Sequence, residues 1–105
     1  MKLAILLSTY NGMNYLEEQV DSIIAQTYTD WKLYIRDDAS TDATVALIKR
    51  LADTDPRIIN ISSSGNLGAK ESFMWMLRNV EADYYMFCDH DDVWLPKKVE
   101  LTLKR

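Results

Sequence analysis

Leu3-Ala4-Ile5-Leu6-Leu7 is apolar at every position. A strand with no polar face must be buried on both sides, as the central strands of parallel sheets are. Parallel neighbours cannot be joined by a tight hairpin and need crossover connections, usually helices. This one run therefore commits the chain to alternating strands and helices.

The rest of the chain supplies them. Leu16, Val20, Ile23 and Ile24 form one helical stripe running to about Gln26, with Asn14 and Glu17 placed as a capping box. Trp31 to Arg36 alternates as a second strand. Ser40 or Thr41 can cap the helix that follows, whose stripe is Thr44, Leu47, Ile48 and Leu51. Asp55-Pro56 ends that helix, and Arg57 to Ile61 reads as a short edge strand. A third helix, from about Ala69 to Asn79, carries Phe73, Met76, Leu77 and Val80 on one face and Met74 and Trp75 on others, so burial on more than one side is expected. Asp83 to Cys88 is the fourth strand, and Pro96 opens a last helix in its first turn. The order β-α-β-α-β-α-β-α predicts an α/β fold, a Rossmann-like parallel sheet with right-handed crossovers, in one domain over residues 1–105.

Composition narrows the partners. A formal net charge of -4 with no long basic run argues against nucleic acid. Cys88 is the only cysteine, so no internal disulfide forms and a cytoplasmic location is expected. Leu3 to Leu7 is too short for a signal h-region or a membrane span.

Chemistry concentrates where the fourth strand runs into Asp89-His90-Asp91-Asp92. Ligands of open α/β sheets sit outside the carboxyl ends of the strands. Two carboxylates one residue apart suit Mg²⁺ or Mn²⁺, cations that hold substrate phosphates. The second strand also ends in acids, Asp37-Asp38, and Asp38 is expected at a strand mouth neighbouring that of Asp91. Asp42 is better explained by capping and helix-dipole compensation. The only glycines are Gly12, Gly65 and Gly68, so neither G-x-G-x-x-G nor the P-loop pattern is present. Phosphates must then be held through a metal.

Five segments, in order and spacing, resemble the family 2 (GT-A fold) nucleotide-sugar glycosyltransferases. They are Leu6 to Asn11, the S-x-x-x-Q-T of Ser22 to Thr27, the D-D-x-S-T-D of Asp37 to Asp42 with Ala39 where glycine is commoner, the N-x-G of Asn66 to Gly68, and the D-x-D-D of Asp89 to Asp92. The last resembles rhamnosyltransferase-type members in its Phe87 to Trp94 context. The resemblance spans this chain but only the N-terminal, nucleotide-binding half of such an enzyme.

It implies inverting transfer of a sugar from a UDP- or dTDP-sugar to the hydroxyl of a saccharide or lipid-linked acceptor, in bacterial surface polysaccharide synthesis. The location implied is cytoplasmic or peripheral at the inner membrane. By the same resemblance Ser8, Tyr10, Asp38 and Asp89 line the nucleotide site, and Asp91 with Asp89 holds the metal. An ionised Asp suits this, since it accepts the N3–H of uracil or thymine. No catalytic residue is assigned: the base is expected in an acceptor-binding half absent from these residues. Lys70 is read as solvated, Trp31 and Trp94 as core, and His90 is given no role.

Two other readings are available. Asp89 to Val93 also fits the D-x-D-x-[TV] of haloacid-dehalogenase-type phosphatases, with Asp89 as nucleophile, but only twelve residues follow Val93 to carry the further motifs needed. Alternatively, the chain is a nucleotide-binding or oligomerising fragment without turnover, associating through exposed apolar surface around Met74, Trp75 and Val99.

Overall fold

The computed structural model describes residues 2–62, 65–88 and 93–104. Strands β1 (Leu3–Thr9), β2 (Lys32–Asp37), β3 (Ile58–Asn60) and β4 (Tyr84–Cys88) alternate with helices α1 (Leu16–Ile24), α2 (Thr44–Thr54), α3 (Ala69–Asn79) and α4 (Lys98–Leu103). The strands form one sheet in the order β3-β2-β1-β4, and every pairing is parallel.

β1 lies inside the sheet and is buried on both faces, as its unbroken apolar run requires. Leu3, Ile5 and Leu7 pack with Leu16, Val20 and Ile23 of α1, Leu47 and Ile48 of α2, and Val99 of α4. Ala4 and Leu6 point the other way, to Met76 and Val80 at α3. Trp31 and Trp94 are core residues, as expected. β3 is the short edge strand that the break at Asp55-Pro56 implies.

Several local expectations are corrected. Asn14 does not cap α1, which has no side-chain cap; the Gly12 carbonyl instead accepts the N–H groups of Tyr15 and Leu16 at 3.1 and 2.8 Å. Neither Ser40 nor Thr41 caps α2, because both bond to Asn11 of the β1 loop. The helix has no side-chain cap at its N-cap residue, Ala43, and the Asp42 carboxylate just before it accepts the Thr44 N–H at 3.0 Å. α4 opens at Lys98 and not at Pro96, after a turn in which the Lys98 N–H donates to the Leu95 carbonyl at 3.0 Å.

α3 buries one face only. Ser72 and Met76 are enclosed, Trp75 is half-buried and Met74 is exposed. Val99 does not belong to any exposed apolar surface, since it is fully buried. The apolar side chains that α4 and its approach do expose are Val93, Leu95 and Leu101. Among the described residues no helix is long and apolar enough to cross a membrane.

Candidate functional site

The carboxyl ends of β1 and β2 are tied to each other before any ligand is considered. The Asp38 N–H donates to the Thr9 carbonyl at 2.8 Å. The Asn11 N–H donates to Ser40 Oγ at 2.8 Å, and the Thr41 N–H returns a bond to Asn11 Oδ1 at 2.8 Å. The Gly12 N–H donates to Thr44 Oγ1 at 3.0 Å. Asp37 turns back on its own loop, where its carboxylate accepts the N–H and hydroxyl of Ser40. Three of the six D-D-x-S-T-D positions, Asp38, Ser40 and Thr41, thus stitch two loops together.

Strand periodicity explains what faces α3. Ala4, Leu6 and Ser8 share one side of β1, and Tyr34 and Arg36 share the same side of β2. Ser8 and Arg36 are register partners. The apolar layers of this face therefore end in a polar layer. The Ser8 hydroxyl donates to Ser72 Oγ at 2.6 Å, and Arg36 Nη1 donates to the same oxygen at 2.9 Å.

Arg36 is wholly buried. Its Nη1 also donates to Asp38 Oδ1 at 2.6 Å, its Nη2 donates to the Gly65 carbonyl at 3.1 Å, and its guanidinium lies 5.5 Å from the centre of the Trp75 ring.

Asp38 is 4% exposed. Its Oδ1 accepts the Leu67 N–H at 2.7 Å and its Oδ2 the Gly68 N–H at 3.0 Å, while Asn66 Nδ2 donates to its carbonyl at 3.1 Å. The N-x-G loop is thus wrapped around Asp38. Burial by itself would raise the Asp38 carboxyl; the Leu67 N–H, the Arg36 side chain and the Gly68 N–H outweigh it and hold the group below its ordinary range.

Of the residues expected at the nucleotide site, Ser8 and Asp38 meet through Ser72 and Arg36 at this mouth. Tyr10 stands at its rim, 47% exposed. Asp89 and Asp91, with His90 and Asp92, lie outside the described residues. β4 is level with β1 up to the pairing of Cys88 with Leu7, so the chain enters the acidic stretch just short of the level of Ser8. β1 separates β2 from β4, which corrects the expectation that the mouths of Asp38 and Asp91 are adjacent. The described residues contain no group of three His, Cys, Asp or Glu side chains able to hold a metal. Two surface recesses lie elsewhere, one at the amino ends of the strands beside Lys2 and Trp31, the other along α4.

Sequence reasoning missed Arg36 and Ser72. The one available signal was an arginine inside an otherwise apolar strand; a serine on a mixed helix gives none. It also left Ser22 and Gln26 as motif letters without a task. Gln26, 3% exposed, donates through Nε2 to the carbonyls of Ser22 and Leu95 at 3.0 and 2.8 Å. The Trp94 N–H donates to Ser22 Oγ at 3.1 Å, and the Thr27 N–H donates to the Pro96 carbonyl at 2.9 Å. The S-x-x-x-Q-T helix end is a clamp on the segment that follows the acidic stretch.

Comparison with known proteins identifies the family and the fold. The family model described as Glycosyl transferase family 2 matches residues 4–105. The chain is 38% identical over 99 residues to dTDP-rhamnosyl transferase RfbG of Shigella flexneri, covering 90% of this chain and 34% of that protein. It is 30% identical over 102 residues to the putative teichuronic acid biosynthesis glycosyltransferase TuaG of Bacillus subtilis, covering 97% and 40%. The chain therefore spans between a third and two fifths of the length of these curated relatives. Among solved structures, S. aureus TarS 1-349 in complex with UDP-GlcNAc superimposes with a TM-score of 0.87 at 21% identity, covering 99% of this chain and 30% of that one. The mannosyltransferase PcManGT from Pyrobaculum calidifontis, in complex with GDP-Man and Mn²⁺, gives 0.80 at 26% identity, covering 89% and 28%.

Proposed function

The chain belongs to glycosyl transferase family 2, and from that premise we propose that it is the donor-binding part of an enzyme that transfers a sugar from a UDP- or dTDP-sugar to an acceptor hydroxyl with inversion. Bacterial surface polysaccharide synthesis is the setting, with a saccharide or lipid-linked acceptor. The observation that carries this reading is the meeting of Ser8 and Asp38 through Ser72 and Arg36 at one mouth of the sheet, beside the strand that leads into Asp89 and Asp91, with Tyr10 directly after β1. The similarity to RfbG, a dTDP-rhamnosyl transferase, supports a dTDP-sugar donor.

In this reading Asp38 accepts the N3–H of the base. A carboxylate offers about four lone-pair sites, and three internal donors leave one for the ligand. The lowered carboxyl keeps that acceptor ionised. The Tyr10 ring, exposed at the rim, covers a face of the base.

Asp91 and Asp89 are hard oxygen donors of the kind Mg²⁺ or Mn²⁺ takes, and PcManGT, a relative in fold, holds Mn²⁺ with its nucleotide sugar. Such a cation, when bound, neutralises charge on the leaving diphosphate. These residues contribute donor binding, and the base that deprotonates the acceptor belongs to a segment beyond them.

Calorimetric titration with UDP and dTDP, in Mn²⁺ and in chelator, tests the reading. Binding that strengthens with Mn²⁺ and loses that gain in Asp91→Ala is expected. Equal affinity with and without metal would overturn the metal assignment, and no affinity for either nucleotide would overturn the whole.

A further inference from the structure

The Arg36 guanidinium occupies a place where burial alone explains little. It sits wholly enclosed on the α3 face of an internal strand, among Leu6, Tyr34 and Met76 layers that are otherwise apolar. Buried ion pairs seldom add net stability over apolar side chains of similar volume. This pair stands at the last layer before the strand mouth, level with Ser8. Among the described residues the Arg36 N–H groups bond to the Asp38 carboxylate, to the hydroxyl of Ser72 that Ser8 also bonds, and to the Gly65 carbonyl of the loop wrapped around Asp38.

We infer that Arg36 is a positioning residue for nucleoside recognition, orienting Asp38 directly and Ser8 through Ser72. The inference rests on the donor-binding reading above. Arginine suits the task because its fork directs several N–H groups at once, whereas a lysine supplies charge without that geometry. Ser72 is the relay: it takes a bond from each side and so sets the spacing between Ser8 and Asp38.

The groups packed around Asp38 make its response to pH specific to Arg36. From β2 come Arg36 and Asp37, and Asp37 is turned to Ser40. The loop and α3 present the N–H groups of Leu67 and Gly68 and the hydroxyl of Ser72, and β1 presents Ser8 and the Thr9 carbonyl. Arg36 is the charged side chain that bonds to Asp38 among the described residues. Without it, the hydrogen bond and the charge by which Arg36 lowers the carboxyl are lost, burial is opposed by the Leu67 and Gly68 N–H groups alone, and the carboxyl moves upward.

The experiment is calorimetric titration of the full 105-residue chain with UDP and dTDP in Mn²⁺, from pH 4.5 to 8, for wild type, Arg36→Met, Arg36→Lys and Ser72→Ala. Wild-type affinity should show no loss attributable to Asp38 across this range. Arg36→Met should bind about tenfold more weakly at pH 7 and lose more as the pH falls, since one unit of carboxyl shift is tenfold in the competing protonation. Arg36→Lys should restore the wild-type pH profile while remaining about threefold weaker, and Ser72→Ala should lose about threefold with the profile unchanged. If Arg36→Met does not fold, the lysine and alanine variants decide. Lysine and alanine variants that match wild type at every pH would overturn the inference while leaving the donor-binding reading intact. Absence of nucleotide binding by wild type itself would overturn both.

Discussion

Gln26 Oε1 accepts the backbone N–H of Val99 at 3.0 Å, across 73 positions of sequence. The same amide donates to the carbonyls of Ser22 and Leu95. One buried side chain therefore satisfies the first turn of α4, closes the end of α1 and holds the segment entering α4 against it.

Gln26→Ala should lower the unfolding free energy by about 2–3 kcal/mol, because it leaves a buried N–H and a carbonyl without partners. Urea unfolding measures the loss, and amide exchange should locate it at Val99. A drop below about 0.5 kcal/mol would mean that water replaces the side chain at no cost.

Acid should weaken the fold through Asp38. Its carboxyl is lowered in the native state, so its contribution is present above the unfolded value of about 3.9 and is lost as the pH falls through the lower native value. Asp42 and Asp55 are lowered as well, by Thr44 and by Arg57 first of all, and act in the same direction. Asp38→Asn should therefore have a shallower fall in urea midpoint between pH 5 and pH 2 than wild type, with some slope remaining. Superimposable curves would contradict the charge assigned to this group.

Ala39 has φ 63°, in the left-handed region that suits glycine. An L-residue there costs about 1–2 kcal/mol, and the extra freedom glycine has when unfolded returns about 0.4–1 kcal/mol of that. Ala39→Gly should stabilise the chain by about 0.5–1 kcal/mol, read as a rise in Tm; a fall in Tm would refute the strain.

Gly12 cannot accept a side chain as the loop stands. A Cβ there would lie 2.3 Å from Oγ1 of Thr9, a buried and branched residue with little room to turn. Gly12→Ala should cost about 1–3 kcal/mol, and Thr9→Ala in the same chain should recover part of it. Additive losses in that double-mutant cycle would show that the collision is not the cause.

How much of this was legible follows from the range of each signal. β1 and the stripes of α1 and α2 were readable because burial imposes a period on neighbouring residues. The helix starts were misread for the opposite reason. Ser40 and Thr41 are good local caps, but Asn11, some thirty residues earlier, draws them away. Arg36 stood in plain view as a charge in a strand, yet its partners Ser72 and Gly65 come from a helix and a loop that nothing in β2 foretells. Ser8, Tyr10 and Asp38 were singled out by the family resemblance, and the parallel topology sets the ends of β1 and β2 that carry them at one side of the sheet. The order of the strands, which sets β1 between β2 and β4, was not written in any local pattern.

The stitching of the β1 loop to the β2 loop, from Asn11 to Ser40 and Thr41 and from Gly12 to Thr44, has an entropic consequence. A rim whose backbone is already held has few conformations left to surrender when a ligand settles on it. The ordering penalty that weakens binding at mobile loops, about 0.5–1.5 kcal/mol for each side chain immobilised, is largely incurred during folding. On the donor-binding reading proposed above, selectivity at this rim comes from shape and donor placement, and loosening either loop, even far from the ligand, should reduce affinity through entropy while every contact with the ligand is retained.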